Sequence, residues 1–170
     1  LQQDHSATIG YIGSRTTVER QARGEGITVV ALDDDTGALS TRQVVGELVN
    51  PSYLALAADG RTLYTVHGDR SEASAFRIDA HSGSLQWLNT QDTLGRNPVH
   101  LCLSPDGRQL LVTNHLGSSV VLLPLQPDGR LGPVMASQRS EGAPVPHRAE
   151  PTQAKPHFAA FAAGDGDAHW

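Results

Sequence analysis

Cysteine is almost absent. Cys102 stands alone among 170 residues, so no internal disulfide and no cysteine-based zinc site can form. Aromatic residues make up 5% of the chain and there is no basic stripe, which excludes the usual surfaces for nucleic acid. Thirteen Lys and Arg stand against eighteen Asp and Glu, a dispersed net charge of −5. No apolar stretch approaches a membrane span and no signal peptide is visible at Leu1, so no membrane partner is expected. Cytoplasm is the default compartment; periplasm or secretion stays open because a leader could have preceded residue 1.

What the chain has is repetition. NPSYLALAADGRTLYTVH (50–67) is rewritten as NPVHLCLSPDGRQLLVTNH (97–115), with Pro51, Gly60 and Arg61 matched by Pro98, Gly107 and Arg108, 47 positions on. A second anchor, TGAL, SGSL and DGRL, places Gly37, Gly83 and Gly129 at intervals of 46. Short alternating runs rich in Val, Leu, Ile and Thr lie between Gly-containing turns, the mark of hairpins. Each unit parses as four strands, A to D. Four strands per 40–50 residues, repeated, is the period of a β-propeller blade.

The expectation is therefore an all-β fold of four-stranded antiparallel blades. Strands B to D of a first blade fill 8–48, a second blade 50–94, a third 97–140, and strand A of a next blade 156–163. That is about three blade-equivalents. Propellers close with four to eight, so the chain reads as part of a ring, and its open edges admit self-association.

In such blades the A–B and C–D turns share one end, and the starts of A strands and exits of B strands share the other. His100 and His157 fall at A-strand starts; His67, Asn114 and His115 fall at B-strand exits, with Ser14 and Arg15 equivalent in the first blade. The D–A connection before Pro156 is longer than its relatives and carries His147, Arg148 and Glu150. A long insertion on one face of a repeat protein marks its binding side. Each residue also has a plainer reading: a turn histidine, a surface Arg148–Glu150 pair, or an Asn114 that satisfies a turn amide. Metal binding by His147 and His157 is a weaker alternative, because no His-x-His spacing supports it.

YIGSRT, GITVVALDDDTGALS, NPSYLALAADGRTLY and NPVHLCLSPDGRQLLVTNHLGSSVVLLPLQPDGRLG, in that order and followed by a Pro-rich insertion ending in Pro-His, resemble the seven-bladed propeller 6-phosphogluconolactonases. The resemblance runs over nearly all of 8–163. It implies a ring of roughly 330 residues, about twice this chain. It also implies hydrolysis of 6-phosphoglucono-1,5-lactone or a similar small acidic sugar lactone, without metal or organic cofactor, as part of carbohydrate metabolism. His157 is then the first candidate for the base that activates water, and His100 the second. Arg148 would stabilise the oxyanion or bind phosphate, and Arg15, Asn114, His67 and Glu150 would contact the substrate. The chain departs from the family pattern at Ala159, where many relatives have a second His, and at Ala149, which breaks an Arg-Gln pair. A non-catalytic binding scaffold and a carboxymuconate-type cycloisomerase are the alternatives.

Overall fold

The computed structural model describes residues 8–142 and 153–162. Its regular structure is almost wholly strand: β1 (Thr8–Gly13), β2 (Ile27–Leu32), β3 (Leu39–Val45), β4 (Pro51–Leu56), β5 (Thr62–His67), β6 (Glu72–Ile78), β7 (Leu85–Asp92), β8 (Pro98–Leu103), β9 (Gln109–Asn114), β10 (Ser119–Pro124) and β11 (Ala136–Arg139). A single 3₁₀ turn, Val18–Arg20, interrupts the β1–β2 connection. Neighbours in sequence pair antiparallel, giving three sheets: β1-β2-β3, β4-β5-β6-β7 and β8-β9-β10-β11. No helix among the described residues is long and apolar enough to cross a membrane.

The turns explain why the strands reverse where they do. Gly37, Gly60, Gly83, Gly107 and Gly129 all have φ between 67 and 89°, the left-handed region that glycine enters without strain. Ahead of them, Asp33 and Asp79 accept two backbone amides each through Oδ1, which holds the tight connection.

Two apolar seams hold the sheets face to face. Ile27, Val29, Leu63, Phe76 and Leu85 fill the first, between the first and second sheets. Tyr64, Val66, Ala75, Leu101, Leu110, Val121 and Leu123 belong to the second. Each fully buried large apolar side chain contributes about 1.5–3 kcal/mol.

A polar stitch repeats across both seams. Gln43 accepts the Leu85 amide at 2.7 Å and donates to the Leu85 carbonyl at 3.0 Å. Asn89, 46 positions on, treats Leu131 in the same way at 3.0 and 2.8 Å. A side-chain amide thus stands in for a strand neighbour between sheets.

β4 and β8 open with the same irregularity. The β4–β5 register shifts between Pro51 and Tyr53, and the β8–β9 register between Pro98 and His100. Such a bulge re-aims the side chains beside it. Tyr53 and His100 therefore occupy equivalent positions in successive sheets.

The last expected element is unpaired among the described residues. The described part of the anticipated further strand, residues 156–162, forms no ladder. A strand requires a neighbour to receive its backbone groups, and no strand among the described residues pairs with this segment. It lies instead against the third sheet, where the Cys102 thiol donates to the Ala159 carbonyl at 3.2 Å. Burial raises the Cys102 pKa, in keeping with a partly buried packing residue.

Candidate active site

The end of the sheets where β4 and β8 begin is built on two Asn-Pro steps. Asn50 and Asn97 have φ of 42 and 54°, a conformation Asn tolerates better than most residues. Asn50 is fully buried, and its Oδ1 accepts the amides of Thr16 and Thr17 at 2.8 and 3.2 Å. Its Nδ2 donates to the Gly68 carbonyl and to Asp69. Asn97 Oδ1 accepts the Asp69 amide at 2.8 Å. These two asparagines, which stand beside Pro51 and Pro98 and are not among the expected site residues, tie the β1–β2 and β5–β6 loops to the strand starts. Their 47-residue spacing was the available signal.

Asp69 is the acidic centre of this end. Arg20 donates to it from both Nε, at 2.7 Å, and Nη2, and Arg15 Nη1 lies 3.8 Å away. The hydrogen bonds from Arg20, more than any other cause, hold the Asp69 carboxyl below its usual range. Because Asp69 is already bonded to Arg20, the half-exposed Arg15 guanidinium makes only a long contact. A cavity of about 450 Å³ adjoins this cluster, lined by Thr17, Glu19, Arg20, Val49, Asp69 and Arg70.

The expected site residues divide into two groups. His67 and Asn114 are turned inward and fully engaged. His67 Nδ1 lies 2.9 Å from the Val49 carbonyl, which can only accept, so Nδ1 carries the proton. Nε2 then accepts from the Ser74 hydroxyl at 2.7 Å, and Ser74 Oγ contacts Thr90 Oγ1 at 2.7 Å. Burial lowers the His67 pKa and keeps the ring neutral. Asn114 accepts from the Thr93 hydroxyl at 2.9 Å and donates to the Thr93 carbonyl and to Ser119.

His100 packs against the segment 153–162, which itself carries His157. The His100 ring packs between Tyr53, 4.4 Å away centre to centre, and Phe158, at 4.3 Å. It is only 4% exposed, and its Nδ1 has no hydrogen-bond partner; nor has the hydroxyl of Thr113, its neighbour across the β8–β9 ladder. Burial lowers the His100 pKa. His157, by contrast, is exposed. Its ring lies 4.3 Å from that of His115, whose Nδ1 is 3.2 Å from the Pro156 carbonyl. That contact places the His115 proton on Nδ1 and leaves the lone pair on Nε2. Arg148, Glu150 and His147 lie outside the described residues. Among the described residues no three His, Cys, Asp or Glu side chains gather as a metal-ligand set.

This arrangement meets known proteins at one point. The model of the family "Lactonase, 7-bladed beta-propeller" matches residues 9–167. The chain belongs to that lactonase family. It is 32% identical over 152 residues to the 6-phosphogluconolactonase of Bacillus subtilis, covering 88% of this chain and 41% of that protein. The 6-phosphogluconolactonase of Formosa agariphila is 30% identical over 128 residues, 71% of this chain and 35% of its own. Among solved structures, the periplasmic gluconolactonase of Pseudomonas aeruginosa superposes with a TM-score of 0.68 at 33% identity, covering 78% of this chain and 38% of that one. A protein from Bacteroides fragilis, proposed to be a 6-phosphogluconolactonase, gives 0.76 at 28% identity over 92% of this chain and 42% of its own. The chain thus spans about two fifths of the length of these relatives. Its three sheets are blades of a β-propeller, about three of the family's seven.

Proposed function

We propose that this chain supplies part of an enzyme that hydrolyses 6-phosphoglucono-1,5-lactone or a similar acidic sugar lactone, with His157 as the base. The observation that supports this reading is the exposed His157 ring held against His115 at the strand-start end. An imidazole open to solvent is suited to take a proton from water as a general base. The water oxygen attacks the lactone carbonyl as its proton passes to His157. Collapse of the tetrahedral intermediate breaks the ring C–O bond, and the proton is returned to the leaving ring oxygen. Arg148 is assigned to the developing oxyanion and Arg15 to the phosphate, since guanidinium groups bind both by charge-assisted hydrogen bonds. Glu150 is assigned to contact the substrate. His100 is the alternative base: its unpartnered Nδ1 is neutral, but Tyr53 and Phe158 would have to part to admit water. His67 and Asn114 are assigned to fixing the strand ends that carry the site.

The reading carries cytoplasmic carbohydrate metabolism with it. The Pseudomonas relative, described as periplasmic, marks the alternative, which cell fractionation separates.

The test is turnover of 6-phosphogluconolactone, corrected for spontaneous opening, by the full protein that contains this segment. His157→Ala should lower kcat by about 10²- to 10⁴-fold, the usual weight of a general base. Unchanged turnover in His157→Ala with loss in His100→Ala would move the base to His100. Substrate binding without hydrolysis in the unmodified protein would favour the scaffold.

A further inference from the structure

A second cleft lies at the opposite end of the sheets. It occupies about 800 Å³ where the second and third sheets meet, within the range of small-molecule sites. Arg61, Arg77 and Arg108 line it, with Thr62, Tyr64 and the turn around Asp128. We propose that this cleft is a second anion site, separate from the candidate active site, that takes a small phosphate-bearing molecule.

The charge balance inside the cleft favours an anion. Two carboxylates also line it, Asp59 and Asp128. Asp128 forms an ion pair with Arg130 at 2.5 Å, and Asp59 Oδ1 accepts the Arg61 amide at 3.0 Å to hold its own turn. None of Arg61, Arg77 and Arg108 makes an ion pair within 4.0 Å among the described residues, and the carboxylate that Arg108 acts on at longer range, Asp106, is not part of the cleft lining. Within the lining, three guanidinium groups therefore meet one carboxylate that no cation pairs. Guanidinium forks suit the tetrahedral oxygens of phosphate.

The wall of the cleft is fixed. Tyr64 Oη donates to the Gly129 carbonyl at 3.1 Å, joining the floor of the second sheet to the last turn of the third. Burial pushes the Tyr64 phenol up to about 12, so it stays a donor. A Cβ on Gly129 would stand 2.6 Å from Thr62 Oγ1, which shows how closely the turn leans over the seam.

The repeat provides an internal control. The first seam is closed by the same devices, yet Ala31 stands where Arg77 stands in the second: Ile9 pairs with Ala31 as Thr62 pairs with Arg77. The architecture does not require a cation there. Arg77→Ala reproduces the first seam and leaves the fold intact.

The experiment is a calorimetric titration of the full protein with sodium pyrophosphate, in the unmodified form and as Arg77→Ala, Arg61→Gln/Arg108→Gln and Arg15→Gln. The expected result is saturable binding that weakens with salt. Arg77→Ala and the double variant should weaken it ten-fold or more, while Arg15→Gln leaves it unchanged. No binding, or binding that Arg15→Gln abolishes and Arg77→Ala spares, overturns the proposal. Lactone turnover in Arg77→Ala reports separately on the active-site reading.

Discussion

Tyr64 Oη donates its hydrogen bond to the carbonyl of Gly129 in the next sheet. Tyr11 does the same to Gly83 at 2.8 Å, at the equivalent place in the first seam. In the third sheet that position is Leu111, which pairs with Leu122 as Tyr64 pairs with Ala75. The tyrosine clamp thus belongs to the two seams the chain closes within itself. Tyr64→Phe keeps the ring and removes only the hydroxyl, leaving one carbonyl short of a donor. It should lower unfolding stability by about 1 kcal/mol, read from the urea midpoint at unchanged m-value. No shift would mean that Gly129 finds water instead.

Asn89→Ala removes a two-point bond and strands both backbone groups of Leu131. A loss of about 2–3 kcal/mol is expected, larger than for Tyr64→Phe. Gln91 also reaches the Leu131 carbonyl, at 3.3 Å, and its partial rescue should disappear in Asn89→Ala/Gln91→Ala. Additive costs in that double variant would argue against the rescue.

Glycine positions separate backbone strain from crowding. Gly60 and Gly107 have positive φ but open space around a built Cβ, whereas Gly83 and Gly129 would strike Ile9 and Thr62 at 2.7 and 2.6 Å. Alanine at Gly60 or Gly107 should cost roughly 1–2 kcal/mol. At Gly83 or Gly129, overpacking adds on the order of 1–3 kcal/mol. Equal thermal shifts at all four sites would show that the seams yield easily.

His67 gives stability a pH dependence whose sign can be worked out. Burial depresses its pKa in the folded chain, while the unfolded chain takes up a proton near pH 6.5. Its contribution is therefore fully present above about pH 6.5 and is lost as pH falls from there through the folded value. His100 is shifted in the same direction, also by burial, and adds to the loss. His67→Asn, which copies Asn114 in the next sheet, should flatten urea midpoints measured between pH 7 and 5. Parallel profiles for the two proteins would assign the acid sensitivity elsewhere.

The sheets were readable in the sequence because their determinants are local. Positive φ at Gly60 and Gly107 demands glycine, and alternation between such turns makes strands. The stitches were not readable. Gln43 and Asn89 differ in kind, and their partners exist only once sheets stack. The strand expected over 156–163 forms no ladder among the described residues for a related reason, since a strand is a pairing and a pattern alone does not supply one. At the site, the gathering of histidines at one end followed from the strand order. Their orientations did not: His67 turns inward to Ser74 while His157 faces out, a difference made by neighbours distant in sequence.

The amide stitches have a geometric consequence. Gln43 and Asn89 hold their neighbours by pairs of hydrogen bonds of 2.7–3.0 Å, which tolerate little stretch or tilt. The angle between successive blades is then governed by bond geometry more than by the bulk of the side chains packed between them. Trimming Leu110 or Phe76 would soften a seam without changing how sharply the arc turns. Cutting both amides would release the curvature itself, and with it the spacing of every group that faces the central axis.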